Sequence, residues 1–469
     1  MSERRAARWA LAALLLAALV PLLWPGDVPF IHDEPQLMAK AVAANAEGRL
    51  APLGLLGTFG VTYGPLPVWM YQALLWVTHD LVPVALAHAA LMAFVSAGAL
   101  WSLARTLGLW PGFAAVPLLT PYFWFYARVM WDNTLLLPLA TLAYAGYAAF
   151  LARDSVRGLG LAAACVFAVP LVHLMGLSLV TPLVLHALVA RGRALRAHAA
   201  GLVALGAAVG WLAWPYWSSL AGPRAETPAA ASSWLGWIFP LQGARLLGSG
   251  GLDYFVGAET VGGLVFAAAD VIALAPYLLV WSGIGVAVSA VARAVRARAW
   301  DARAHFAALA LATLAMQAVI HGVSGKFEHP HYQNGTWIAT VLLAWMAVDA
   351  LARRTGGPAV AAATTLLVLA TNATAVATLV VRLHEGRGTR NAVYGPVLAE
   401  QQEVARLLAP LAPDSPLDMR VDLWIRFPGT LATLRSLQPA PAGERPRAQI
   451  VVDYATRDPR RADVRVIVR

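Results

Sequence analysis

The sequence predicts an all-α polytopic membrane protein, and three observations carry that reading. Apolar runs repeatedly reach the roughly 20 residues that a helix needs to cross the hydrocarbon core. Arginines group in the short connections between alternate runs. Concentrated carboxylates and histidines fall in the other connections, which puts the polar chemistry on one side of the membrane. Composition agrees, since 59% hydrophobic and 13% charged residues, with a mean hydropathy of +0.63, are too apolar for a soluble chain of 469 residues. The excess of 35 basic over 25 acidic residues sits mostly in the connections. It therefore reads as a topology signal, and a soluble nucleic-acid binder is excluded. The single cysteine, Cys165, lies in an apolar segment and leaves no internal disulfide or cysteine metal cluster to form.

The first apolar run, about residues 8–24, follows Arg4, Arg5 and Arg8 with no small-x-small cleavage site after it. It reads as an uncleaved first span with a cytoplasmic N-terminus. Further candidates at about 83–105, 110–127, 132–151, 158–173, 176–190, 199–217, 260–288, 306–321, 335–352 and 358–382 bring the total to about eleven. The stretch 158–190 is divided into two short helices meeting near His173, because one tilted span would invert everything downstream. Threaded this way, the cytoplasmic connections hold Arg105, Arg153, Arg157, Arg191, Arg193, Arg196, Arg293, Arg296, Arg298, Arg303, Arg353 and Arg354. Trp24, Trp110, Trp131, Trp217 and Trp337 fall at boundaries, as interface anchors do.

Residues 1–382 then form the membrane module, with external loops at 25–82, 218–259 and 322–334. Residues 383–469 read as a small soluble α/β domain on the external side. Its expected helix has Val404, Leu407 and Leu408 on one face, and strands are expected at Met419–Ile425, Ala448–Tyr454 and Val464–Val468. The same period-2 patterns would also suit a cover over one side of the membrane portion.

Three polar motifs share the external face. In His32-Asp33-Glu34-Pro35-Gln36, Asp33 has the form of a helix N-cap with Gln36 closing a capping box, yet two adjacent carboxylates and a histidine are more than a cap needs. Asp132 could cap the next helix with Asn133 solvated beside it, or pair across one turn with Arg128, four residues earlier. The run Lys326-Phe327-Glu328-His329-Pro330-His331-Tyr332 reads either as a solvated hairpin or as a site where Lys326 and a histidine meet phosphate oxygens while aromatics stack on a sugar or isoprenoid. His329 and His331 with a carboxylate also have donor types for a divalent metal, on weak spacing. His173 lies deep in the apolar reversal, either as a satisfied core residue or as part of a cavity. Tyr63-Gly64-Pro65 is a rigid turn leading to the Trp69–Trp76 segment.

In this order, His32-Asp33-Glu34-Pro35 after the first span, Tyr63-Gly64-Pro65, Arg128 with Asp132, His173 and the His331-Tyr332 region resemble the integral-membrane GT-C glycosyltransferases. That class contains the protein O-mannosyltransferases of glycosyltransferase family 39 and the bacterial enzyme that adds aminoarabinose to lipid A. The resemblance implies a helical GT-C-like bundle in a bacterial inner membrane. It also implies a hexosyl- or pentosyltransferase of the cell envelope that takes a sugar from a polyprenyl-phosphate donor to a lipid, glycan or protein acceptor outside the cytoplasm. It makes Asp33 the general base with Glu34 as neighbour or substitute, and Asp132 a second acid. Arg128, Lys326 and His329 become candidates to neutralise the carrier phosphate, with His331, Tyr332 and His173 around the donor. His32 and Tyr63 are candidates for the acceptor side or for ordering the loops. An inverting displacement without a required cofactor is the simplest chemistry, with divalent metal left open. The late motif departs from the family by being histidine-rich where relatives carry Arg-Tyr. A transporter or flippase of lipid-linked sugars, or a non-catalytic binder of them, is the rival reading.

Overall fold

The computed structural model describes residues 3–31, 33–57, 60–221, 236–238, 240, 243–248, 256, 274–324, 329–354, 356–389, 394–412, 415, 417–420, 427–438, 446–453 and 463–468. His32, Lys326, most of the expected loop at 218–259 and the first half of the expected span at 260–288 lie outside the described residues.

The apolar runs fold as helices: α1 (Glu3–Leu19), α2 (Asp33–Ala46), α3 (Leu66–Val77), α4 (Leu81–Leu107), α5 (Pro121–Tyr126), α6 (Leu136–Arg153), α7 (Val156–Ala168), α8 (Leu177–Ala197), α9 (Ala199–Leu212) and α10 (Trp214–Leu220). After the undescribed stretch come α11 (Leu274–Ala297), α12 (Ala302–Ser324), α13 (Trp337–Ala352) and α14 (Gly357–Gly386). The tail adds α15 (Leu398–Leu408), β1 (Leu417–Arg420), α16 (Phe427–Ser436), β2 (Ala448–Asp453) and β3 (Asp463–Val468).

Among the described residues seven helices are long and apolar enough to cross a membrane, or eight if α9 and α10, bent by 80°, make one span. The expected eleven differ for local reasons. Residues 110–127 form two 3-10 stretches and the six-residue α5, because Pro111, Pro117 and Pro121 remove donors that a continuous helix requires. The runs at 158–173 and 335–352 give apolar helices shorter than the other spans.

Lipid supplies no hydrophobic drive between spans, so close backbone packing must hold them together. A Cβ on Gly158 of α7 would sit 2.6 Å from the carbonyl oxygen of Gly146 on α6, and one on Gly283 of α11 would sit 1.9 Å from that of Leu343 on α13. Only glycine admits these approaches.

The arginine-bearing ends converge. Arg153 donates to Thr106 Oγ1 at 3.1 Å, Arg191 pairs with Asp154 at 3.3 Å, and Arg303 binds the Leu107 carbonyl at 2.8 Å and Asp349 at 2.8 Å. The N-terminal ends of α2, α4 and α13 lie at the opposite end.

In the tail, β1 and β2 pair in parallel (Leu417 with Ile450) and β2 and β3 antiparallel (Ala448 with Val468). Ile450, Val452, Val404, Leu408 and Leu434 share one buried cluster with Phe30, Leu37, Met38 and Tyr71, so the tail is packed onto α2 and α3. Leu407 departs from its expected face and is exposed; Gln401, Val404, Ala405 and Leu408 form the buried face of α15.

Candidate active site

The chain between α1 and α2 is held from four directions. Arg128, itself buried, donates through Nη2 to the carbonyls of Trp24 at 2.7 Å and Asp27 at 3.2 Å, with its guanidinium 4.6 Å from the centre of the Trp124 ring. The Tyr394 hydroxyl donates to the Asp27 carbonyl at 2.8 Å, and His384 Nδ1 lies 2.7 Å from Asp27 Oδ2 while its ring stacks on Trp24 at 4.2 Å. The N–H groups of Leu398 and Ala399 bond the carbonyls of Val28 and Gly26. These contacts fix where α2 begins.

Asp33 lies in the first turn of α2 and is partly exposed, whereas Glu34 beside it is fully buried and accepts from the Ile31 N–H at 3.3 Å. Glu34 thus makes a return bond of the capping-box kind. Of the two adjacent carboxylates, Asp33 is the more exposed.

Thr120 caps α5 by accepting from the Phe123 N–H at 3.1 Å, and α5 ends at Tyr126. Arg128 and Asp132 are therefore not on one helical turn, and the pair expected between them does not form; the guanidinium goes to the Trp24 and Asp27 carbonyls. Asp132 is buried, and its Oδ2 has no hydrogen-bond partner among the described residues. Burial first, then the negative charge of Asp33 and more weakly of Glu34, holds its carboxyl well above the usual aspartate range. Asp132 consequently keeps its proton to higher pH than a solvated aspartate.

Asn133, expected in solvent, is buried and accepts from Asn334 Nδ2 at 2.9 Å; Asn334 also accepts from the Tyr122 hydroxyl, which reaches the Pro330 carbonyl at 3.2 Å. This link joins the Asp132 loop to the late histidine motif. Trp131 meets His331 edge-on at 5.4 Å, His331 stacks on His329 at 5.3 Å and contacts Tyr332 at 4.4 Å. The Tyr63 ring lies 4.0 Å from His173, because Gly64 lets the turn press against Leu171, where a Cβ would be 2.0 Å from the carbonyl oxygen. His331 presents a partly exposed ring, but its Nδ1 is buried. Burial, then the neighbouring His329 and His173, pushes its pKa well below the ordinary value. It is a neutral hydrogen-bonding group at neutral pH.

Two residues that sequence reasoning missed lie beneath the carboxylates. The Tyr71 hydroxyl is 3.1 Å from His88 Nδ1, and burial, Glu34 and Asp132 together hold the phenol in its neutral form. His88 carried a readable signal, an ionisable side chain inside an apolar span. Tyr71 did not, because it sits among the tryptophans of a segment that reads as an interface anchor. Among the described residues, no three His, Cys, Asp or Glu side chains are grouped to hold a metal ion.

The arrangement offers a partly exposed carboxylate, a buried carboxyl whose pKa is raised, and a wall of imidazoles and aromatic rings. It suits removal of a proton from a hydroxyl held against an aromatic surface. No protein-family model and no curated protein matches the sequence. Solved structures do: ArnT from Cupriavidus metallidurans in the apo state aligns at a TM-score of 0.55 and 17% identity, covering 97% of this chain and 87% of that one. ArnT from the same organism bound to undecaprenyl phosphate aligns at 0.53 and 17% identity, covering 98% of each chain. The fold of this chain is therefore similar to that of ArnT over nearly its whole length.

Proposed function

We propose that this chain is a membrane glycosyltransferase of the GT-C kind, transferring a sugar from a polyprenyl-phosphate donor to an acceptor hydroxyl. The observation that carries the reading is the partly exposed Asp33 set against the buried Asp132, with the His329–His331–Tyr332 wall joined to them through Asn133 and Asn334. The fold likeness to ArnT, one of whose structures contains undecaprenyl phosphate, supports a prenyl-phosphate ligand.

In this mechanism Asp33 takes the acceptor's proton as the hydroxyl oxygen bonds to the anomeric carbon. The bond from that carbon to the phosphate oxygen breaks, the electron pair stays on the phosphate, and polyprenyl phosphate leaves. A single displacement inverts the anomeric centre. Asp132 serves as the second acid, and His331 or His329 donates one N–H to a phosphate oxygen. Arg128 we assign to holding the 24–27 segment, and Lys326 is the candidate cation for the leaving phosphate. By the positive-inside rule the arginine end faces the cytoplasm, so the site and residues 383–469 face outward from a bacterial inner membrane.

The test is release of polyprenyl phosphate by purified protein given polyprenyl-phosphate sugars and a membrane extract as acceptor source. Wild-type turnover that Asp33→Asn abolishes without loss of folding is the expected outcome. Donor binding without turnover, in the presence of a donor and acceptor shown to be competent, would replace this reading with carriage or binding of lipid-linked sugars.

A further inference from the structure

At the end of the bundle opposite the carboxylates, a cavity of about 620 Å³ opens between α11, α13 and the start of α12. That volume lies in the range of small-molecule sites. Val286, Ala290 and Met346 make an apolar wall on helices of the membrane bundle, and Arg293, Arg353 and Trp300 line its exposed side.

The charges do not cancel inside the cavity. Asp349 Oδ2 accepts from Arg303 Nη1 at 2.8 Å and from Arg353 Nε at 2.8 Å, so one buried carboxylate answers two guanidinium groups. Asp301 caps α12 by accepting from the Ala304 N–H at 2.8 Å. Arg293 is exposed and makes no hydrogen bond or ion pair among the described residues. An uncommitted guanidinium, a second that shares its carboxylate with Arg303 and also donates to the Gly108 carbonyl at 3.3 Å, an indole in the same lining and an apolar wall together match an amphiphile with an anionic head.

We propose that this cavity binds an anionic bilayer phospholipid, with the phosphodiester against Arg293 and Arg353 and an acyl chain along Val286, Ala290 and Met346. A soluble anion would leave the apolar wall unused, and a zwitterionic headgroup would set its own cation against the arginines. Basic pockets between spans are established places for such headgroups. Transfer chemistry at the other end plays no part in the argument, and the readout is lipid retention alone.

The experiment counts lipid retained on the full chain by native mass spectrometry. Protein is purified from bilayers of phosphatidylcholine alone and of phosphatidylcholine mixed with phosphatidylglycerol. Wild type is expected to retain phosphatidylglycerol in preference, with the preference shrinking as salt rises. Arg293→Gln leaves the Asp349 pairs intact and is expected to weaken retention about fivefold, while Arg293→Lys restores most of it. Equal retention of the two lipids, or phosphatidylglycerol binding unchanged in Arg293→Gln, would overturn the assignment. Displacement of phosphatidylglycerol by added undecaprenyl phosphate would also overturn it, giving the cavity to a prenyl phosphate instead.

Discussion

Arg128→Met separates two jobs that a buried arginine near the proposed phosphate-binding face could hold. The methionine keeps much of the side-chain length and removes the donors to the Trp24 and Asp27 carbonyls at 2.7 and 3.2 Å, together with the contact to the Trp124 ring. Two hydrogen bonds from a charged donor contribute roughly 1.5–3 kcal/mol each, and a desolvated cation–π contact about 2 kcal/mol. Relief from burying a guanidinium offsets part of that sum and leaves a net loss of about 3 kcal/mol. The assay pairs thermal unfolding of detergent-purified protein, followed by tryptophan fluorescence, with binding of undecaprenyl phosphate. The expected result is a clear fall in unfolding temperature with phosphate-lipid affinity preserved in the folded fraction. Wild-type stability with affinity reduced about tenfold would refute the reasoning and make Arg128 a phosphate ligand.

Three further perturbations test other parts of the site and bundle. Asp132→Asn removes a carboxyl whose folded pKa is raised by burial and by Asp33, so in wild type its ionisation costs stability above the unfolded value of 3.8. The variant should gain stability over wild type as pH rises, the gain vanishing as pH falls toward that value; a pH-independent difference in unfolding temperature would contradict the assignment. Tyr71→Phe leaves His88 Nδ1 without its hydroxyl partner and should cost about 1–3 kcal/mol in chemical denaturation, and adding His88→Leu should recover part of the loss. Gly283→Val forces a side chain onto the Leu343 carbonyl and should destabilise the α11–α13 packing by at least about 1–3 kcal/mol, read as early melting.

Hydropathy located most of the long helices because crossing hydrocarbon demands length and apolarity together. It overcounted where prolines interrupt an apolar run, as at Pro111, Pro117 and Pro121, since transfer energy says nothing about backbone donors. The partners of the motif residues were not legible in the sequence. The Arg128–Asp132 spacing fits a helical turn, yet the helix ends at Tyr126, and the arginine's partners lie about a hundred residues upstream. Asn133 was misplaced for a related reason: its partner Asn334 belongs to another loop, and local sequence carries no trace of that contact. The two later tail strands were readable from period-2 alternation, whereas the first, expected at Met419–Ile425, is seen at Leu417–Arg420 with residues 421–425 outside the described residues, and Leu407 failed because α15 turns a different stripe inward.

The clamp around residues 24–28 also bears on the order in which the protein is made. Tyr394 reaches the Asp27 carbonyl across 367 positions of chain, and Leu398 and Ala399 close on Val28 and Gly26 over a similar distance. Contacts of such sequence separation form late, after the intervening helices have been inserted and docked. The segment between α1 and α2 is thus among the last to acquire its final shape, although it is synthesised long before its partners. Nascent and truncated chains that lack the 394–399 region would carry Asp33 on an unfastened segment.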